Sequence, residues 1–231
     1  MLIGPIDAII FDVDGTLAET EEAHRISFNE AFADAGLPWH WTQDDYRDLL
    51  KVTGGKERIA HFMAVSGSPV SGDLIPALHA RKTELYTQRV VGGALGFRPG
   101  IEALMGEAQR RGVALAIATT TSRPNVDALV AAVLGAGALD DFKAIVCGDM
   151  VKAKKPAPDV YNLALEQLGV APERAVAIED SWNGVRSAKA AGLPVVATPS
   201  LYSAGDDFSE ATIVTTPEGI AAALGWSSHT P

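Results

Sequence analysis

Near the start of the chain, one short run of apolar residues ends abruptly at two acidic residues. The run covers residues 6–11, interrupted only by Asp7, and the sequence DVDGT follows from Asp12. Such a run predicts a buried strand. Side chains alternate along an extended chain, so Asp12 and Asp14 are expected on the same side, and Gly15 allows a turn directly after them. Two adjacent carboxylates repel each other, and a divalent cation is the simplest group that stabilises them.

Between residues 18 and 90, the apolar positions follow the spacing of helices. Gly36 is suited to end the first helix, and Thr42, followed by acidic residues, is suited to cap the second. We predict helices over residues 21–35, from Thr42 towards Leu50, over 59–65 and over 74–90, with loops at 53–58 and 66–69.

After residue 100, helical and strand-like segments alternate. Strands are predicted at residues 113–118, 144–146, 175–178, 194–197 and 213–214, and helices at 101–110, 124–134, 159–168, 183–191 and from 217. Short apolar strands between helices are typical of a parallel sheet covered on both faces. The predicted fold class is therefore α/β, a Rossmann-like parallel-sheet core (residues 1–17 and 92–231) with an inserted α-helical cap (18–91).

Composition narrows the possible partners. The 231 residues are 47% hydrophobic and carry a net charge of −10, which argues against nucleic acid or a membrane surface as a partner. Cys147 is the only cysteine, so no disulfide forms within the chain. The chain starts without the pattern of a signal peptide and contains no apolar run of about 20 residues. We expect a cytoplasmic protein with no obligate protein partner evident.

Ligands of parallel α/β sheets bind beyond the carboxyl ends of the strands. Besides Asp12 and Asp14, the loops at these ends supply a hydroxyl-rich segment, a lysine pair before prolines and an acidic pair: Thr119–Ser122, Lys154–Lys155 and Glu179–Asp180. Hydroxyls at a helix start suit a phosphate, a lysine offsets its charge, and carboxylates suit Mg²⁺. Helix capping, a solvated lysine pair and helix-dipole partners are the simpler explanations of each segment alone. Their joint order favours one site.

These segments, DVDGT, TTTS, KPAPD and EDSxxG, resemble the motifs of the haloacid dehalogenase superfamily of aspartate-nucleophile phosphohydrolases. The resemblance covers nearly the whole chain and implies phosphoryl transfer through an aspartyl-phosphate. It makes Asp12 the nucleophile and Asp14 the general acid and base, with Thr119 and Lys155 binding the transferring group. The implied Mg²⁺ ligands are Asp12, Asp14 through its backbone carbonyl, and Asp180, with Glu179 near or in the shell.

The predicted cap contains a segment suited to a second anionic group. In Thr53-Gly54-Gly55-Lys56, the glycines let backbone approach a ligand, and Lys56 and Arg58 supply charge; a plain turn between helices is the alternative. The stretches AETEEAHRxSFNEAF and TGGKERI resemble the phosphatases encoded with the Calvin–Benson–Bassham genes, similar in cap type to β-phosphoglucomutase. That resemblance implies removal of the 1-phosphate of xylulose-1,5-bisphosphate, an inhibitor of Rubisco.

Nine residues are the expected contacts of this phosphorylated sugar: Glu19, His24, Tyr46, Gly54, Gly55, Lys56, Arg81, Thr120 and Thr121. Three of them have ordinary alternatives. His24 also suits a partly exposed helix position, Tyr46 suits packing against Trp39 or Trp41, and Arg81 suits a solvated face.

Other functions remain open at this point. A phosphosugar mutase would use the same aspartyl-phosphate and return the phosphate to another carbon. A broad sugar-phosphate or phosphoglycolate phosphatase would share the chemistry without the cap specificity. A dehalogenase or a non-catalytic binding protein on the same fold would not need both the acidic pair and Asp14.

Overall fold

The structure, a computed structural model, describes residues 3–67, 73–93 and 95–226. Its centre is one parallel sheet. The strands are Ala8–Phe11 (β1), Ala114–Ala118 (β2), Phe142–Val146 (β3), Ala175–Glu179 (β4), Val195–Ala197 (β5) and Ile213–Val214 (β6). Their spatial order is β3-β2-β1-β4-β5-β6. The predicted α/β fold with a parallel sheet is therefore confirmed, and β1 lies in its middle.

Helices cover both faces of the sheet and one end of it. They are Glu21–Asp34 (α1), Gln43–Leu49 (α2), Gly55–Ser66 (α3), Leu74–Val91 (α4), Ile101–Arg110 (α5), Arg123–Leu134 (α6), Asp159–Leu168 (α7), Trp182–Ala190 (α8) and Ile220–Ala223 (α9). Short 3-10 helices lie at Ala136–Asp141, Pro172–Arg174 and Pro217–Gly219. Among the described residues, no helix has both the length and the apolar character that a membrane span requires.

The strands are buried on both faces because their alternating residues enter two separate hydrophobic clusters. Ile9 and Phe11 of β1 join the cluster beneath α5, α6 and α9. Ala8 and Ile10 join the cluster beneath α7 and α8. Burial on both sides explains the uninterrupted apolar runs of the sequence.

The segment between β1 and α5 has a hydrophobic core of its own. Phe28, Phe32, Trp41 and Ile59 are fully buried there, in contact with Tyr46. The last turns of α4 instead pack into the cluster of the sheet. This separate core lies within residues 18–91, the segment predicted to be a cap, and α4 extends from it onto the sheet.

The two ends of α3 differ from the predicted elements. Helix α3 begins at Gly55, inside the predicted loop at 53–58, because Lys56, Glu57 and Arg58 are good helix formers and Gly54 supplies the turn before them with φ of 92°. Ser66 belongs to the same helix, whereas residues 68–69 of the predicted loop lie outside the described residues, as do residues 1–2, 94 and 227–231 of the predicted core. Thr42 caps α2 as predicted, and it forms a capping box with Asp45.

Candidate active site

A cavity of about 1250 Å³ lies between the carboxyl edge of the sheet and the helices α1 to α4. Four loops of the sheet domain reach it, each directly after a strand or before a helix. They bring Asp12, Asp14, Thr119, Lys155 and Asp180 to the cavity, as the sequence motifs predicted. Parallel strands produce this convergence because their carboxyl ends share one edge of the sheet.

Lys155 is the electrostatic centre of the cavity floor. Its Nζ donates to Asp12 Oδ1 at 2.7 Å, to Glu179 Oε1 at 2.6 Å and to the carbonyl of Ala118 at 2.9 Å. The side chain of Lys155 is buried. Burial by itself lowers the pKa of Lys155, but the negative charges of Asp12 and Glu179 outweigh that effect and raise it. Lys155 therefore stays charged against these carboxylates.

One carboxylate oxygen of Asp12 is hydrogen-bonded, and the other has no hydrogen-bond partner among the described residues. Oδ1 accepts from Lys155, and no described residue hydrogen-bonds the other oxygen, while the residue borders the cavity. Burial raises the pKa of Asp12 to about 7, and the charges of Glu179 and Asp14 oppose the lowering effect of Lys155. Burial is the main cause of this rise, and a bound cation would favour the charged form of Asp12.

Asp14 lies in a different environment, at the start of the cap. Its Oδ1 accepts from the Thr20 hydroxyl at 2.6 Å and pairs with His24 Nε2 at 2.9 Å. Burial alone would raise the pKa of Asp14, but the contacts with His24 and Thr20 hold it near 2. The two aspartates are therefore separated in pKa, and Asp14 is the more acidic of the two.

A buried lysine stands behind His24. Lys82 Nζ lies 2.7 Å from His24 Nδ1, and the imidazole stacks on Tyr86 with ring centroids 3.9 Å apart. Burial and the charge of Lys82 lower the pKa of His24. A neutral imidazole with its proton on Nε2 satisfies both contacts, accepting from Lys82 and donating to Asp14. The expected substrate contact His24 thus holds the carboxylate of Asp14 from within the cap.

Three carboxylates form a buried acidic cluster. One ligand oxygen each of Asp12, Glu179 and Asp180 lies within 4.8 Å of the others. Burial, Asp12 and Glu179 together raise the pKa of Asp180, although hydrogen bonds from Ser200 and Ser203 lower it. Oxygen donors in excess over one buried lysine fit a divalent cation.

Both carboxylate oxygens of Glu179 accept hydrogen bonds from the protein. It accepts from Lys155 and from the Tyr161 hydroxyl at 2.6 Å on one oxygen, and from the Asp180 backbone N–H at 3.2 Å on the other. Asp12 and Asp180 are therefore the carboxylates freest to bind a cation. The carboxylate of Asp14 is directed to Thr20 and His24, which leaves its backbone carbonyl for the predicted role.

The hydroxyl-rich loop after β2 borders the cavity from Thr119 to Ser122. Thr119 Oγ1 accepts from the Thr121 backbone N–H at 3.2 Å, and Asn125 donates to Thr121 Oγ1 at 3.1 Å. The loop is thus a small turn that begins α6, where hydroxyls and N–H groups face a shared space. Thr119, Thr120 and Thr121 all line the cavity, as predicted.

On the cap side, Gly54, Gly55 and Lys56 line the cavity together with His79. A Cβ at Gly55 would lie 2.7 Å from the His79 ring, so glycine is required for this contact. No described residue hydrogen-bonds or ion-pairs with Lys56. Burial and the charges of Lys82 and Lys56 lower the pKa of His79 to about 3, which indicates a local excess of positive charge.

Three expected substrate contacts lie off the cavity. Glu19 is ion-paired with Arg98 at 3.2 Å, and Arg81 pairs on the exposed face of α4 with Asp34 and Glu84. Tyr46 is fully buried, donates to Glu21 Oε2 at 2.9 Å and accepts from Arg58 at 3.0 Å. Its packing against Trp41 and the exposed position of Arg81 are the alternatives that the sequence had left open.

Four residues of the site have no signal in the sequence: His79, Tyr161, Ser200 and Ser203. Each lies on a helix or loop whose pattern reveals only its buried face. Lys82 of α4 is different, because it occupies a position within an apolar stripe of the helix. A lysine at such a position is unusual and can be noticed in the sequence.

The comparisons with known proteins agree with this geometry. The family model described as haloacid dehalogenase-like hydrolase matches residues 6–192. The chain belongs to this family and is a hydrolase.

Within the family, the chain is similar to proteins called CbbY. It is 54% identical to protein CbbY of Rhodobacter capsulatus, over 89% of this chain and 91% of that protein. The crystal structure of CbbY from Rhodobacter sphaeroides in complex with phosphate matches with a TM-score of 0.89 and 48% identity, covering 95% of this chain and 99% of that chain. A mutant of that protein in complex with xylulose-(1,5)bisphosphate matches with a TM-score of 0.87 and 49% identity, covering 92% and 95%.

Proposed function

We propose that this protein is a Mg²⁺-dependent phosphatase that removes the 1-phosphate of xylulose-1,5-bisphosphate and leaves xylulose 5-phosphate. The observation that carries the reaction type is the position of Asp12 at the cavity floor, where Lys155 holds Oδ1 and no described residue hydrogen-bonds the other oxygen. The observation that carries the substrate is the similarity to the CbbY structure that binds this bisphosphate. A sugar of this size with two phosphates fits within the cavity of about 1250 Å³.

In the proposed reaction, the available oxygen of Asp12 attacks phosphorus and forms an aspartyl-phosphate, which water then hydrolyses. Lys155, the backbone N–H of Thr120 and the hydroxyl groups of the loop Thr119–Thr121 bind the phosphoryl oxygens in both steps. When bound by Asp12, Asp180 and the Asp14 carbonyl, Mg²⁺ would neutralise phosphate charge and keep Asp12 ionised. Glu179 would hold Lys155 and act as an outer partner of the site.

Asp14 would donate a proton to the leaving oxygen and then take one from the attacking water. The contacts with His24 and Thr20 hold the pKa of Asp14 too low for the first of these roles. A phosphate dianion placed beside it raises the pKa of a carboxylate by charge repulsion. We therefore propose that the substrate itself prepares Asp14 for proton donation, while His24 and Thr20 keep it oriented.

The second phosphate is proposed to bind the cap. Lys56 is free of partners among the described residues, and His79 and Lys154 add donors and charge beside it. The glycines at 54 and 55 let their backbone approach the ligand. This arrangement supports a bisphosphate over a monophosphate.

The test is phosphate release from xylulose-1,5-bisphosphate, ribulose-1,5-bisphosphate, β-glucose-1-phosphate and phosphoglycolate, with Mg²⁺ and with a chelator. We expect release from the first substrate, lost on chelation and reduced at least about a thousandfold in Asp12→Asn. Isomerisation of β-glucose-1-phosphate without release of phosphate would instead indicate a mutase. Unchanged release under chelation contradicts the metal requirement.

Lys56→Ala tests the cap separately. Loss of a charged hydrogen bond should lower kcat/KM for the bisphosphate by about 10- to 100-fold and leave release from phosphoglycolate nearly unchanged. Arg81→Ala is the matched control, since it removes a cap cation that lies off the cavity. Equal effects of both variants on the bisphosphate would refute the subsite.

A further inference from the structure

The loop after β5 brings two serines to Asp180. The Ser200 hydroxyl donates to Asp180 Oδ2 at 2.6 Å, and the Ser203 hydroxyl donates to the same oxygen at 3.0 Å. Both serines are buried, with 4% and 6% of their surface exposed. No motif of the sequence includes either residue.

The hydroxyls of Ser200 and Ser203 also lie 2.8 Å from each other, and either can be the donor in that contact. The Ser200 backbone N–H donates to Ser203 Oγ at 2.9 Å, so that oxygen acts as an acceptor while its own proton is free for Asp180. Both hydroxyls lie within hydrogen-bond distance of Asp180 Oδ2, and the arrangement in which both donate to it satisfies that oxygen twice. Oδ1 remains as the oxygen that Asp180 offers to a cation.

Arg98 anchors this loop. Its guanidinium donates to the carbonyls of Thr198 at 2.7 Å, Pro199 at 2.8 Å and Gly15 at 2.6 Å. Arg98 therefore joins the serine loop to the turn that follows Asp14.

The three segments meet closely at Asp180. A Cβ placed at Gly15 would lie 2.2 Å from Asp180 Oδ2 and 3.0 Å from Ser200 Oγ. Because Gly15 has φ of 84° as well, no side chain is tolerated there. The carboxylate of Asp180 has little room to rotate between the serines and the turn.

We propose that Ser200 and Ser203 are positioning residues that hold Asp180 to one oxygen at the metal site and thereby favour Mg²⁺ over Ca²⁺. Mg²⁺ demands a compact octahedral shell, whereas Ca²⁺ accepts more ligands and carboxylates that bind through both oxygens. Removal of the hydroxyls frees Oδ2 and the rotation of the carboxylate. The inference rests on the proposed metal site but not on the identity of the sugar.

The test is calorimetric titration of the metal-free, full-length protein with Mg²⁺ and, separately, with Ca²⁺. Partners of this kind change metal affinity by about 10- to 100-fold when removed. For Ser200→Ala/Ser203→Ala we expect Mg²⁺ affinity to fall at least about tenfold and Ca²⁺ affinity to fall less or to rise. Ser203→Ala alone, which loses the longer bond, should show the same direction with a smaller change.

Ser27→Ala is the matched control, because Ser27 is an equally buried serine whose hydroxyl bonds the Ala23 carbonyl within α1. It should leave both affinities unchanged. Equal losses for the two cations in the double variant would point to general disorder and overturn the inference, as would changes below about twofold. Failure of the unaltered protein to bind Mg²⁺ would instead refute the metal site of the proposed function and the inference with it.

Discussion

Replacement of Lys82 by methionine should make the protein more stable and less active. Lys82 is buried, and its Nζ lies 4.8 Å from the ring centroid of Phe28 and 2.7 Å from His24 Nδ1. Burial lowers the pKa of Lys82 from 10.5 to about 8, even though Asp14 and Glu21 act in the opposite direction. Methionine has a similar length and no charge to desolvate.

The expected gain in stability follows from the difference between the pKa of Lys82 in the unfolded chain, 10.5, and in the folded protein, about 8. This difference corresponds to an upper limit of about 3 kcal/mol by which a charged Lys82 disfavours the folded state below pH 8. Between pH 8 and 10.5 the unfolded chain binds more protons than the folded one, so the stability of the unaltered protein rises through that window. The advantage of methionine should therefore fall to about half by pH 9.5.

The expected loss of activity has a separate cause. Without the Lys82 ammonium, Nδ1 of His24 has no donor and the ring is free to change its protonated nitrogen. Asp14 then loses a fixed partner during proton transfer, a step that contributes about 10²- to 10⁴-fold to rates in general. We expect kcat to fall by at least about tenfold with a smaller change in KM.

Urea unfolding at pH 7 and pH 9.5, paired with steady-state phosphate release, measures both effects. Lys143→Met, on the exposed edge of β3, is the control and should change stability by less than about 0.5 kcal/mol at either pH. The reasoning is refuted if Lys82→Met is less stable than the unaltered protein at pH 7. It is also refuted if the difference between the two does not shrink as the pH rises.

Three further substitutions test other parts of the structure. Arg81→Ala should change kcat/KM by less than about twofold from that of the unaltered protein, because the ion pairs of Arg81 are exposed. A larger fall would indicate that Arg81 contacts the substrate. Tyr161→Phe should cost about 1.5–3 kcal/mol in urea unfolding, since Glu179 loses a charged hydrogen bond, and an unchanged midpoint would contradict that contact. Gly184→Ala should cost more than about 3 kcal/mol, because its Cβ would lie 1.9 Å from a carboxylate oxygen of Glu179; a normal melting temperature would refute this close packing.

Local sequence was sufficient for most of the elements. The predicted helices over 101–110 and 159–168 and the strand at 213–214 have the bounds seen in the structure. The apolar strands were readable because a parallel sheet buries both faces of each strand. The early start of α3 was missed because two glycines read as a turn, whereas the structure uses one as the turn and the other as the first helical residue.

Predicted site residues that directly follow a strand lie at the cavity, whereas Glu19, Tyr46 and Arg81 of the predicted cap do not line it. Asp12, Thr119 and Asp180 are positioned by the strands before them, so their convergence follows from the parallel sheet. Glu19 and Tyr46 were expected at the substrate, but their side chains turn to Arg98 and to Glu21. The direction of a side chain on a cap helix depends on how that helix packs, and local spacing does not contain this information.

The sequence by itself thus determined the parallel sheet, the inserted helices and the four loops at one edge, because each follows from hydrophobic periodicity and short motifs. Only the tertiary structure decided which groups hold these loops in place. Lys82 reaches His24 across 58 positions of the chain, and Ser200 reaches Asp180 across 20. Such pairs depend on the packing of α4 against α1 and on the path of the loop after β5. The helix packing and the loop path both depend on the core as a whole, so a local sequence pattern does not predict them.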